Sequence, residues 1–220
     1  MTSGSKLQKL LTWLSPAFPV GAFAWSAGLE TPIASRLVHD RSTAQRWISG
    51  NLEHGPMRID AILLAHAYRS AFKQQDLSDL ADLALALIPA RERYDETSTT
   101  GRAFVTATGA WPTPVLANLP DPCPYPIAVG AIAAGHDIEL IQTLLTWLTA
   151  NVHGQVSVAV RLVPIGQSDG LAIMAELEPK VAELADLWHH AALDEIGSVA
   201  YAADIAQMAH ETLTTRIFRS

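Results

Sequence analysis

The sequence contains a single cysteine, Cys123, so the chain cannot form an internal disulfide. Its first residues lack the long apolar run of a secretory signal peptide, and we therefore expect a cytoplasmic protein. Basic residues are also few, because 15 lysines and arginines stand against 22 aspartates and glutamates and no Lys/Arg-rich run occurs. This charge balance argues against a protein that binds nucleic acid or anionic membranes.

Known cofactor-binding motifs are absent as well. Neither of the glycine-rich phosphate loops, G-x-x-x-x-G-K-[ST] or G-x-G-x-x-G, occurs in the sequence. The eight histidines form no H-E-x-x-H motif and no i,i+4 pair, so we assign no metal-binding residue. His189 and His190 are expected on different faces of a helix. A histidine-based metal-binding protein, with this pair sharing a divalent ion at an oligomer seam, stays open as an alternative.

Apolar residues at helical spacing dominate the chain, of which 49% is hydrophobic. Leu7, Leu10, Leu11 and Leu14 form one apolar stripe, and Pro16 ends that helix before a loop over residues 15–22. Further helices are predicted over residues 43–53, 57–73, 76–88, 95–109, 126–134, 137–160, 168–185 and 194–209.

These patterns predict an all-α, single-domain helical bundle over residues 1–220, with a proline-rich mid-chain loop. The loop is indicated by Pro120, Pro122, Pro124 and Pro126. Residues 140–160 carry no charged side chain, but their amides, histidine and hydroxyls argue against a membrane span.

Valines 156, 158 and 160 alternate as in a strand, so helix and strand compete over residues 156–160. The competition matters because Gly166-Gln167-Ser168-Asp169-Gly170 matches the G-x-S-x-G nucleophile elbow, which follows a strand. Asp186 or Asp194 and then His210 would complete a hydrolase triad. This serine hydrolase is our alternative function. No other buried strands support its scaffold, and we expect Ser168 and Asp169 to cap the next helix instead.

Several polar groups are unusual for a helical core. Glu30 closes the small, aromatic-containing run over residues 21–30, and Arg161 lies among valines. The chain ends in Arg216-Ile217-Phe218-Arg219, which alternates cationic and bulky apolar side chains. Such residues are enriched at protein interfaces, whereas an ordinary helix end with arginines near its dipole is the alternative reading.

Together, four segments resemble the UreF family of urease accessory proteins. The opening LSPAFPVGAF at residues 14–23 with SAGLE at 26–30 is similar to that family's first motif. YPIAVG at residues 125–130 and AVRLVPIGQSDG at 159–170 resemble its second and third motifs. The ending, His210-Glu211-Thr212 with RIFRS at 216–220, resembles the family terminus.

The resemblance implies an all-α homodimer that binds the accessory protein UreD, also called UreH, and recruits the GTPase UreG. The complex would deliver nickel to apo-urease, so nickel is handled by the larger assembly and the chain itself catalyses no reaction. Under the resemblance the G-x-S-x-G match becomes a turn that bounds a helix, and residues 137–163 form a central helix.

The resemblance and the polar groups together nominate residues that contact or organise a partner: Glu30, Gln167, Asp169, Arg216, Phe218, Arg219 and Ser220. We expect the C-terminal tail to be poorly ordered in the free dimer and to dock on the UreD-type partner. The chain departs from the family pattern at Trp25, where tyrosine is usual, at Pro124, where histidine is common, and at Ile217, where leucine is usual.

Overall fold

The computed structural model describes residues 3–220, which form helices and connecting loops without a β-strand. The prediction of an all-α fold is thus confirmed. The α-helices, in chain order, are α1 (Ser3–Trp13), α2 (Glu30–Ala34), α3 (Arg41–His54), α4 (Pro56–Phe72), α5 (Ser78–Ala86), α6 (Arg91–Thr108), α7 (Tyr125–Gly135), α8 (Leu140–Leu162), α9 (Gln167–His190) and α10 (Tyr201–His210). Short 3₁₀ helices lie at Ala22–Ala24, Pro114–Asn118 and Leu193–Glu195.

The valines of residues 156–160 lie inside α8, so the competition between helix and strand is resolved in favour of helix. Val156 and Val158 are buried there, and packing against neighbouring helices outweighs the β propensity of branched side chains. None of the helices that residues 3–220 form is both long and apolar enough to cross a membrane.

The predicted helix over residues 194–209 is wrong in its first half. A 3₁₀ turn ends at Glu195, and α10 begins only at Tyr201. Between them, the Val199 N–H donates to the carbonyl oxygen of His54 at 3.2 Å, and the Ser198 hydroxyl accepts from the Ala200 N–H. These bonds to a side chain and to another helix replace the ladder that a continuous helix would need.

The core centres on α7, which is buried on all sides from Pro126 to Ala134. Small residues allow neighbouring helices to approach closely, and a Cβ atom at Gly130 would lie 2.3 Å from the Leu64 carbonyl oxygen in α4. The longer helix α8 packs against α3, α4, α7 and α9 through one buried stripe and leaves Leu145 exposed. The bundle is therefore organised around the short apolar helix that follows the proline-rich segment.

Replacing Gly130 with alanine should destabilise the protein by about 1–3 kcal/mol, because the new methyl group collides with backbone. Gly154 in α8 is the matched control, since nothing lies within 4 Å of a Cβ atom added there. Gly154→Ala should instead stabilise the helix by about 0.5–1 kcal/mol. Urea denaturation measures both, and equal effects would contradict the close approach of α4 and α7.

Candidate functional site

The C-terminal residues 216–220 fold back onto the loop of residues 24–30, and together these segments are the tail–loop junction. The backbone N–H of Ser26 donates to the Ser220 carbonyl oxygen at 2.9 Å. The Ser26 hydroxyl donates to the same oxygen, and both serines are buried. The tail is therefore bonded to its own chain, in contrast to the poorly ordered tail that the sequence suggested.

Glu30 is the anion around which the junction is built. Its carboxylate is buried, with 5% of the residue exposed. It accepts hydrogen bonds from the backbone N–H groups of Ile217 at 2.7 Å and Phe218 at 2.9 Å. The His210 Nε2 lies 3.1 Å from its second oxygen. Because a buried carboxylate without donors is strongly unfavourable, these contacts fix the tail to the first turn of α2.

His210 extends this network to α6. Its ring has no exposed surface, and its Nδ1 lies 2.6 Å from a Glu92 carboxylate oxygen. Arg216 donates to the other Glu92 oxygen at 2.6 Å. Each ring nitrogen of His210 thus faces a carboxylate oxygen, one of Glu92 and one of Glu30, so the ring links α10 to both α6 and α2.

Close approach of α10 also holds the loop. Gly28 has a φ of +80°, and a Cβ atom there would lie 2.6 Å from Gln207 Cγ and 3.1 Å from Gln207 N. Glycine is therefore required at residue 28 for two reasons: its φ is positive, and Gln207 leaves no room for a side chain. From α8, the Gln155 amide donates to the Ser26 carbonyl oxygen at 2.8 Å.

Two arginines lie over aromatic rings of the junction. The Arg219 guanidinium carbon is 5.6 Å from the Trp25 ring centroid, and that of Arg161 is 5.8 Å from the Phe218 ring centroid. Tryptophan is the strongest of the aromatic partners for a cation, so the departure from tyrosine at residue 25 preserves this contact.

A cavity of about 220 Å³ lies behind the junction, and Trp25 and Phe218 form part of its wall. Three buried polar atoms of its lining residues have no hydrogen-bond partner within residues 3–220, namely Trp147 Nε1, Gln155 Oε1 and Gln207 Oε1. The junction thus lies against a cavity whose wall is mainly apolar, with a smaller share of polar side chains.

An ion cluster lines the same cavity. Arg93 of α6 contacts Glu96 at 3.1 Å and also pairs with Asp60 of α4. Burial raises the pKa of the Asp60 carboxyl, and the Arg93 guanidinium opposes that rise. Because the Ser220 hydroxyl lies 3.5 Å from a Glu96 oxygen, the end of the tail connects to this cluster as well.

The second nominated region lies at the start of α9. Gly166 is the N-cap, and its N–H donates to the Asp169 carboxylate at 3.1 Å. Gln167 is exposed, and Ser168 is an exposed residue of the first helical turn. The expectation that Ser168 caps the helix is therefore wrong, since Asp169 alone reaches back to the cap. Neither Gln167 nor Asp169 hydrogen-bonds to the tail–loop junction in the described part of the chain.

The G-x-S-x-G alternative lacks its structural context. An α-helix, α8, precedes Gly166 where a nucleophile elbow needs a strand. His210, the required base, is enclosed by Glu30 and Glu92 and cannot serve Ser168. Over residues 3–220, no group of three or more His, Cys, Asp or Glu side chains is arranged to hold a metal ion.

The chain resembles curated proteins over its whole length. The family model described as UreF matches residues 38–178. A urease accessory protein UreF from Agrobacterium fabrum is 46% identical over 214 residues, covering 97% of this chain and 96% of the relative. A urease accessory protein UreF from Rhizobium etli is 45% identical over 223 residues, and the alignment covers 100% of both chains. The chain belongs to the UreF family. UreF proteins are non-catalytic accessory proteins, so the chain is not an enzyme.

For this UreF chain, the junction unites five of the seven nominated residues: Glu30, Arg216, Phe218, Arg219 and Ser220. The sequence did not predict a role for Glu92, because it is one glutamate in a polar helix and lies 118 residues before its partner His210. No local pattern signals such a pair. His210 was noticed only as part of the terminal motif and as a possible triad base.

Glu30→Gln should lower the free energy of unfolding of this UreF protein by about 2–4 kcal/mol. The amide removes the charge that His210 and two backbone N–H groups require, while nearly preserving volume. Glu178→Gln is the control, because Glu178 is exposed on α9 and should change stability by less than about 0.5 kcal/mol. Urea unfolding curves that coincide for the two variants would contradict the anchoring role.

Ser168→Ala should change stability by less than about 0.5 kcal/mol, because the exposed hydroxyl makes no cap. Asp169→Ala should cost about 0.5–1 kcal/mol, since it removes the bond to the Gly166 N–H and a negative charge at the helix N-terminus. Thermal unfolding of both variants measures the difference. A larger loss of stability in Ser168→Ala than in Asp169→Ala would show that the serine, and not the aspartate, caps α9.

Proposed function

We propose that this chain is a non-catalytic scaffold of urease maturation that bridges the UreD/UreH accessory protein and the GTPase UreG. It works as a cytoplasmic homodimer, and the complete assembly delivers nickel to apo-urease. Membership of the UreF family supports this proposal, as does the absence of a nucleotide-binding loop from the sequence. A scaffold without a phosphate loop depends on a partner for GTP hydrolysis.

The tail–loop junction is the partner-binding surface in this proposal. Its residues alternate between anchors and exposed groups, because Phe218 is 6% exposed whereas Ile217 is 71% exposed. Arg216 and Arg219 are also exposed. The surface is therefore held in place from beneath by three buried residues, Glu30, Phe218 and Ser220. The partner is contacted by the three exposed residues, Arg216, Ile217 and Arg219. Arginine and large apolar side chains together are typical of interface hot spots.

The outer face of α10 extends this surface. Tyr201, Ile205 and Met208 follow one another at helical spacing and are all exposed. An apolar helix stripe without an intramolecular partner is typical of a docking helix. We assign this stripe and the tail to the UreD-type partner. Gln167, exposed at the start of α9 beside the Gly166–Asp169 hydrogen bond, forms a separate contact point.

Ile217→Asp tests the assignment directly. The isoleucine side chain is exposed, and its contact with Glu30 uses the backbone N–H, so the substitution should leave the fold intact. It should abolish co-purification with the UreD-type partner, because a hot-spot residue contributes about 2 kcal/mol or more and a buried aspartate adds an unpaired charge. Pull-down of the co-expressed partner measures the loss.

Phe72→Asp is the matched control. Phe72 is an exposed aromatic residue at the C-terminal end of α4, and the first residue of that helix, Pro56, lines the cavity behind the junction. This variant should retain the partner. Normal recovery of the partner by folded Ile217→Asp protein would contradict the proposed surface, and equal loss in both variants would show that the effect is not local.

A further inference from the structure

Two adjacent histidines meet at the end of α9. The ring centroids of His189 and His190 are 4.5 Å apart, and His189 Nδ1 lies 3.3 Å from His190 Nε2. From helical spacing we expected the two rings on different faces. The two rings nevertheless meet at the last turn of α9, which ends at His190.

The backbone under this histidine pair is fixed from α4. Arg69 donates to the carbonyl oxygen of Ala191 at 3.2 Å and also to that of His189. His66 Nε2 lies 3.1 Å from the same Ala191 oxygen. These bonds satisfy two of the carbonyl groups at the helix end and place the guanidinium charge near the negative end of the helix dipole. The two rings therefore project from an ordered terminus.

The separation of the two nitrogens suits a shared metal ion. Two imidazole nitrogens that each lie about 2.0–2.1 Å from a tetrahedral ion are about 3.3–3.4 Å apart. The observed 3.3 Å matches this spacing, although a hydrogen bond between neutral rings would give a similar distance. Small rotations of the rings would direct both lone pairs to one point. Asp186 lies on the same helix face as His190, four residues earlier, and adds a negative charge nearby.

We propose that His189 and His190 bind one divalent first-row transition-metal ion, of the Ni²⁺, Cu²⁺ or Zn²⁺ class, through His189 Nδ1 and His190 Nε2. Imidazole suits these ions. Since no third metal-binding side chain completes the group within residues 3–220, water or another protein supplies the remaining ligands. A site with two protein ligands is weak and open, so it exchanges its ion readily. This inference does not depend on the scaffold role.

Calorimetric titration of the tag-free full chain with Ni²⁺, and electron paramagnetic resonance with Cu²⁺, test the site. The informative variants are His189→Asn and His190→Asn, which keep a polar side chain but remove the imidazole. His153→Asn is the matched control, because His153 is an exposed histidine on α8 away from the pair in sequence. Circular dichroism checks that each variant is folded.

The proposal expects one ion per chain, nitrogen coordination of Cu²⁺, and at least about tenfold weaker binding in each of the two pair variants. His153→Asn should bind as the wild type does. Wild-type affinity in either pair variant would overturn the proposal, as would a dissociation constant weaker than about 1 mM for the wild type. The co-purification experiments are unaffected by either result, so failure of this site and failure of the scaffold role are distinguishable.

Discussion

The burial of one carboxylate, that of Glu30, holds the C-terminal segment against the start of α2. A charge in the interior must be met by donors, and here the donors are His210 and the backbone N–H groups of Ile217 and Phe218. All of them lie at least 180 residues along the chain from Glu30. The network continues to Glu92, so α2, α6, α10 and the tail share a single electrostatic arrangement.

This arrangement has a consequence for binding. A free tail would lose conformational entropy on docking, whereas a tail already bonded to its own loop presents Ile217 and the two arginines at little further cost. The glycine at residue 28 and the amide of Gln155 hold the loop in the same way. The surface that we assign to the partner is therefore preorganised, and its shape depends on buried groups that lie beneath it.

Helical periodicity predicted most of the fold, because the buried stripes of α3, α4, α8 and α9 are encoded locally. The break over residues 194–200 was not predictable, since it depends on a bond from Val199 to the distant His54 carbonyl. The sequence did show that Glu30 follows a run of small and aromatic residues and that the tail alternates cationic and apolar side chains. Their mutual contact and the role of Glu92 were not predictable, because only the packed structure brings residues so far apart in sequence together.

Amide hydrogen exchange at Ile217 and Phe218 in the free protein tests the central claim most directly. If the Glu30 carboxylate holds the tail, both amides exchange slowly in the wild type and become rapid in Glu30→Gln, while amides in the α7 core remain protected in both proteins. Exchange of the two tail amides at the rate of an unstructured peptide in the wild type would show that the tail is free and would contradict the account.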